Sequence, residues 1–389
     1  MSSHLQIYDP RERAVVGAAD IGLRAVAPLL RLLRRTAPSD PRRILLMRIE
    51  RIGDLLMALE AITDVVFAAP DASIDLVVGS WNERLAKAIP GIHRVETLDA
   101  AWLARDGQGL GLPRLLSRAR AWRSRQYDLA INFEPDIRTQ ILVARSGAAR
   151  IAGFSSGGGG PLLDVAVDFD PSARTSDNAR RLVAAALAVP ARPQPARLDI
   201  PAGARERARE LLRGCRSPLV GVHASGGREI KQWPPERFAD VAVRLAHERG
   251  ATIVLTGSAA DKPLIDVVRA RLASVPTVDV SGGVDLLTLS AVLESLDVFV
   301  TGDTGPMHLA AAVGTPVVAV FGPSDPARYA PLGDRHRIVR IDLPCSPCNR
   351  IRLPPERCVG HTPDCLAGID AERMFQATVQ ALNAPVATP

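Results

Sequence analysis

The sequence predicts an α/β protein of two Rossmann-like domains, each built on a parallel sheet. Three observations carry this. Short apolar runs alternate with helical stretches twice along the chain, the arrangement that builds parallel sheets covered by helices. A proline-rich segment at 190–201, PARPQPARLDIP, separates the two series as a linker would. Residues 297–331 read as a buried strand at 298–300, a Gly-Asp-Thr-Gly turn, a short helix at 306–313 and a second buried strand at 316–321.

In chain order, residues 1–42 form a basic N-terminal extension. Residues 11–35 have the pattern of an amphipathic helix, interrupted by Gly22 and Pro28 and closing on Arg31, Arg34 and Arg35. Two readings are open for it: contact with an anionic membrane surface, or packing on the domain with the arginines in water. The first domain, 43–189, is expected to open with a central strand at 44–49, a helix at 55–67, and further strands at 74–78, 95–98 and 128–133. The glycine run 157–160 lacks dinucleotide-fingerprint spacing and reads as a flexible surface loop. The second domain, 202–389, restarts with a strand at 219–223, a helix at 235–249, a strand at 252–256 and a helix at 262–273, and closes with a helix at 370–382.

Composition sets limits on function. The chain of 389 residues is 47% hydrophobic and 23% charged, as in ordinary globular proteins. Its net charge of +6 is concentrated near the N-terminus, where residues 1–43 hold eight arginines against four acids. The remainder is close to neutral, which argues against nucleic acid as a partner. No secretory leader is visible and no apolar run approaches the roughly 18 residues of a membrane span, so the expected location is cytoplasmic, peripheral on the inner membrane if the N-terminal helix touches lipid.

The 297–331 unit carries the clearest chemistry. Pro306 suits a first helical turn and Gly314 a helix stop. A strand followed by a glycine turn and a helix N-terminus makes a phosphate site, because unpaired N–H groups and the positive end of the helix dipole converge there. Asp303, Thr304 and Gly305 lie in the turn, and His308 follows. A second motif, HASGGREIKQWP at 223–234, runs from a strand end to a helix start with a glycine pair, a hydroxyl at Ser225, an arginine and a lysine, which suits an anion cradle or a solvated loop. Only three lysines occur beside 45 arginines, which singles out Lys231 as a counter-ion for a leaving diphosphate. The third motif, RIERIGD at 48–54, places Asp54 near a helix N-terminus, as a cap or as a general base. The dipole there acidifies a carboxylate, so a base role requires that the acceptor hydroxyl lose its proton late.

Together, RIERIGD, HASGGREIKQWP, LTGSAAD at 255–261 and TGDTGPMHLAAAVGTPVVAVFGPSDP at 301–326 resemble the lipopolysaccharide heptosyltransferase family, glycosyltransferase family 9. The resemblance implies a GT-B fold, two Rossmann-like domains with parallel sheets facing across a cleft. It implies inverting transfer of a heptose-like sugar from an ADP-sugar, bound by the second domain, to a lipid-linked or lipopolysaccharide-type saccharide, bound by the first. On that basis Asp54 matches the catalytic base, Ser225 and Lys231 the diphosphate contacts, Asp303, Thr304, Gly305 and His308 the donor loop, and Asp261 the acid near the ribose. Rival readings are a sugar-nucleotide epimerase of the same fold and a non-catalytic scaffold at the membrane surface.

Four of five cysteines fall at Cys345, Cys348, Cys358 and Cys365. In a reducing compartment this suits a structural zinc or iron better than disulfides, with free thiols as the third reading. Relatives that modify autotransporters hold iron in a comparable cluster. The single D-x-D, Asp168-Phe169-Asp170, precedes Pro171 and reads as a turn, so no cofactor is expected in catalysis.

Overall fold

Two six-stranded sheets, every strand pair parallel, organise the chain. The structure is a computed structural model that describes residues 5–103, 108–190 and 196–384. The chain divides into two compact units, the first ending at Asp199 and the second beginning at Ile200. Residues 191–195 of the proline-rich segment lie outside the described residues.

The first sheet holds β1 (Arg43–Arg48), β2 (Ser73–Val78), β3 (Arg94–Thr97), β4 (Leu129–Asn132), β5 (Arg150–Phe154) and β6 (Val165–Val167) in the order β3-β2-β1-β4-β5-β6. The second holds β7 (Leu219–His223), β8 (Thr252–Leu255), β9 (Thr277–Asp279), β10 (Val298–Gly302), β11 (Val317–Val320) and β12 (Arg337–Val339) in the order β12-β11-β10-β7-β8-β9. Both are the doubly wound order in which the first and fourth strands are neighbours and the chain reverses between them. Ligands of such sheets gather beyond the carboxyl ends at that switch point, here between β1 and β4 and between β7 and β10. The central strands are continuous apolar runs because helices cover both faces: Ile44, Leu45, Leu46 and Met47 are fully buried, as are Val298, Phe299 and Val300.

Several expectations are corrected. Helix α1 (Pro10–Leu32) runs without a break through Gly22 and Pro28. Its three closing arginines bond the domain rather than standing free, although the Arg31 and Arg35 side chains stay partly exposed. Arg31 donates to Leu163 O at 2.7 Å, Arg34 pairs with Asp164 at 2.7 Å, and Arg35 donates to Tyr127 O at 2.9 Å. The helix expected at 55–67 is two, α2 (Ile52–Met57) and a second at Leu59–Ala68, parted at Ala58. The glycine run is a packed seat for α1, not a flexible loop. Gly159 N donates to Asp20 Oδ1 at 2.7 Å, a Cβ on Gly158 would strike Val16, and one on Gly157 would strike the Pro135 carbonyl oxygen. Glycine is required at 158 and 159 in any case, with φ of +87° and +79°. Among the described residues no helix is long and apolar enough to cross a membrane.

Candidate active site

In the second domain, β7 and β10 pair with Thr301 beside His223, so the loops leaving both strands emerge together at the carboxyl edge. The β7 loop turns back through a 3-10 turn at Glu229–Lys231, and the β10 loop enters the helix Gly305–Ala312. Thr304 is the N-cap of that helix, its hydroxyl accepting from Met307 N. Lys231 Nζ stands 2.8 Å from Asp303 Oδ2, and both side chains are largely buried.

The close fit explains one glycine. A Cβ on Gly226 would come within 2.5–2.7 Å of the Lys231 and Gln232 backbone, so the cradle closes only without a side chain there. At Gly302 a Cβ would make only ordinary contact with the Ser225 carbonyl oxygen at 3.5 Å, so the close fit acts at Gly226. Ser225 is buried, and its Oγ accepts from Gly227 N at 3.2 Å and hydrogen-bonds Asp261. Asp261 also receives Ser258 N at 2.8 Å and Ser258 Oγ at 2.6 Å.

The electrostatics are those of an anion site with its cation held in place. Burial raises the Asp303 pKa, but the Lys231 ammonium and hydrogen bonds from Lys231 and Ser324 outweigh it, and the carboxyl is held below its usual range. Burial lowers His308 to about 4, against the pull of Asp303, so its imidazole is neutral at physiological pH. Asp261 is likewise held below the usual range, because hydrogen bonds from Ser258 and Ser225 overcome its burial. The structure thus brings Ser225, Lys231, Asp261, Asp303, Thr304, Gly305 and His308 to one sheet edge.

Asp54 belongs to the corresponding edge of the first domain, in the first turn of α2. Its Oδ2 accepts from Arg51 N at 3.3 Å, so the capping reading holds. Its Oδ1 meets Arg48 Nη2 at 3.3 Å, while Arg48 Nε donates to Asp54 O at 3.0 Å. Arg48, 5% exposed, reaches across to Glu134, 2% exposed, at 2.9 Å. Glu134 follows β4 at the switch point, and its other oxygen accepts from Glu50 N at 3.1 Å. Burial raises the Glu134 pKa, with Glu50 and Asp54 adding to the rise, while the Arg48 guanidinium opposes it and favours the charged form. Sequence reasoning gave Arg48 and Glu134 no role. The signal was the β1–β4 adjacency that a doubly wound sheet imposes.

The cysteine segment packs against the donor-side loops. Ser346 Oγ donates to Gly322 O at 2.7 Å, Asn349 N to Pro323 O at 2.8 Å, and Asp325 N to Asn349 Oδ1 at 2.9 Å. All of its cysteines are free, and burial, then the neighbouring Cys348, Cys345 and Cys358, raise Cys365 to about 11. Four soft thiols suit zinc or iron chemically. Yet among the described residues no three His, Cys, Asp or Glu side chains form a group able to hold an ion, so the expected cage is not assembled. Asp168 and Asp170 serve local turns, accepting from Ser155 Oγ at 2.6 Å and from Ser172 N at 2.8 Å.

Comparison with known proteins agrees with this geometry. The sequence model of glycosyltransferase family 9 (heptosyltransferase) matches residues 115–357. The lipopolysaccharide core heptosyltransferase OpsX of Haemophilus influenzae is 24% identical over 306 residues, 77% of this chain and 85% of that one. Lipopolysaccharide heptosyltransferase 1 of Pseudomonas aeruginosa is 27% identical over 322 residues, 79% of this chain and 86% of that one. The solved structure of the Escherichia coli ADP-heptose lipopolysaccharide heptosyltransferase II superposes with a TM-score of 0.70 at 20% identity, covering 87% of this chain and 98% of that one. The fold is of GT-B type.

Proposed function

Because the chain belongs to glycosyltransferase family 9, the heptosyltransferases, we propose that it moves a heptose-like sugar from an ADP-sugar to a lipid-linked or lipopolysaccharide-type saccharide, inverting the anomeric carbon. The second domain takes the donor and the first takes the acceptor. The observation that carries this is the Lys231–Asp303 pair beside the Thr304 cap, at the switch point of the second sheet. The similar Escherichia coli enzyme is named for ADP-heptose, and the similar Haemophilus enzyme for the lipopolysaccharide core, which supports this choice of donor and acceptor.

In this reading the diphosphate lies at the N-terminus of the helix Gly305–Ala312, with Ser225 and Lys231 on its oxygens. Asp303 holds Lys231 in place before the donor arrives, and Thr304, Gly305 and neutral His308 complete the donor loop. Asp261, fixed by Ser258 and Ser225, faces the ribose. The acceptor oxygen attacks the anomeric carbon, and its proton passes to Asp54 as the new bond forms. The bond to the diphosphate breaks, and ADP leaves with the electron pair, its charge met by Lys231 and the helix dipole. Asp54 keeps its place through Arg48, which Glu134 anchors. No metal ion takes part in this scheme. The cysteine cluster stays outside it: a structural zinc or iron there would require the thiols to draw together. Family membership favours transfer over the epimerase and scaffold readings, and the enzyme is proposed to work in the cytoplasm.

Isothermal titration of ADP and ADP-heptose into the wild type, Lys231→Ala and Asp54→Asn tests the assignment. Lys231→Ala should lose donor affinity, while Asp54→Asn should bind donor normally and transfer nothing. Equal binding by Lys231→Ala, or full turnover by Asp54→Asn, would remove the corresponding role.

A further inference from the structure

Helix α1 uses its charged residues to hold the first domain and leaves its apolar ones outside. Asp20 accepts from Gly159 N, Arg31 and Arg34 bond the carbonyls of Leu163 and Leu162, and Val16 and Ala27 are buried between them. With 100° per residue, the opposite side carries Val15, Ile21, Val26, Leu29, Leu32 and Leu33, which are 69%, 63%, 46%, 62%, 82% and 75% exposed. Small residues fill the space among them in the N-terminal half, and the bulk lies at Leu29, Leu32 and Leu33. Soluble domains seldom leave so long an apolar stripe uncovered.

The width and charge of the stripe indicate what covers it. It spans about 140° of the helix, from Ile21 to Val26, wider than the narrow seam of a coiled coil. The exposed acids Asp9 and Glu12 stand beside Arg11 at the helix start, but from Arg13 to Ser39 the only acid is Asp20, which is turned into the domain, and there Arg24 is exposed beside the stripe. A broad apolar face bordered by free cations and no outward acid over most of its length fits anionic phospholipid. The arginine bonds lock the helix to the fold, so the face is presented in one orientation.

We propose that α1 lies in the plane of an anionic bilayer surface, with Leu29, Leu32 and Leu33 among the acyl chains and Arg11 and Arg24 at the phosphates. The charged closing arginines, which sequence alone offers to the lipid, serve the opposite side. This does not rest on the transfer reading, since it concerns only the N-terminal helix and its seat.

The test is flotation of the full-length protein with vesicles of phosphatidylethanolamine and phosphatidylglycerol, without donor or acceptor. The wild type should float with them, and the triple variant Leu29→Gln, Leu32→Gln, Leu33→Gln should bind at least about tenfold more weakly. Melting temperature should be unchanged, because all three side chains are exposed. Absence of wild-type binding, equal binding by the variant, or equal binding to phosphatidylcholine vesicles would overturn the proposal. So would a lipid-free dimer that the variant dissociates, which would make a second copy the partner. Any of these would leave the donor-binding experiment above unaffected.

Discussion

Lys231 Nζ and Asp303 Oδ2 lie 2.8 Å apart although 72 residues separate them, because β7 and β10 are neighbours at the switch point. Each is largely buried, so each depends on the other. Lys231→Ala should cost about 1–3 kcal/mol of stability by leaving Asp303 unpaired, and the double variant Lys231→Ala, Asp303→Ala should recover much of it. Urea denaturation measures this, and a double variant no more stable than Lys231→Ala would refute the coupling.

The same pair gives an acid dependence. Asp303 is held below its usual range in the fold, so its contribution is present above the unfolded pKa and is lost as pH falls through the folded value. Asp303→Asn should therefore flatten the loss of stability below about pH 4. An unchanged acid limb would show that the pair contributes nothing there.

His308 titrates in a different window. Its folded pKa of about 4 lies below the unfolded value, so between about pH 6.5 and 4 the unfolded chain binds the proton first and stability falls with pH. His336, also lowered to about 4 by burial, contributes in the same window. His223, also held below its ordinary value by burial, adds to the slope, so His308→Gln should remove part of it and His308→Gln with His336→Gln a larger part, at about 3 kcal/mol per histidine. Nitrogen chemical shifts should keep the His308 imidazole neutral down to pH 5.

Strand β7 and the helix Pro235–Arg249 were legible to the residue, because an apolar run ends in a polar glycine loop and a proline opens the helix. The Asp303–His308 turn was legible for the same reason, its chemistry being local. Strands β5 and β6 were not: Arg150–Phe154 is broken by Gly153 and Val165–Val167 is three residues long. The glycine run misled because its partners, Val16, Pro135 and Gln140, are remote in sequence and glycine shows no periodicity of its own. The break at Ala58 leaves the apolar pattern intact and is invisible to it. Arg48 and Glu134 became a pair only once β1 lay beside β4.

Arg48 is held by Glu134 and in turn holds Asp54, which makes it a positioning residue for the proposed base. Arg48→Ala strands a buried carboxylate and should cost about 3–5 kcal/mol, so lost activity alone would not separate positioning from folding. Glu134→Gln keeps the shape and one acceptor, which can serve Arg48 or Glu50 N but not both, while removing the charge. It should fold, bind ADP-heptose like the wild type, and lower kcat with little change in donor KM, because Asp54 acts on the acceptor proton. A Glu134→Gln enzyme with wild-type kcat across the pH range would leave Glu134 a purely structural residue.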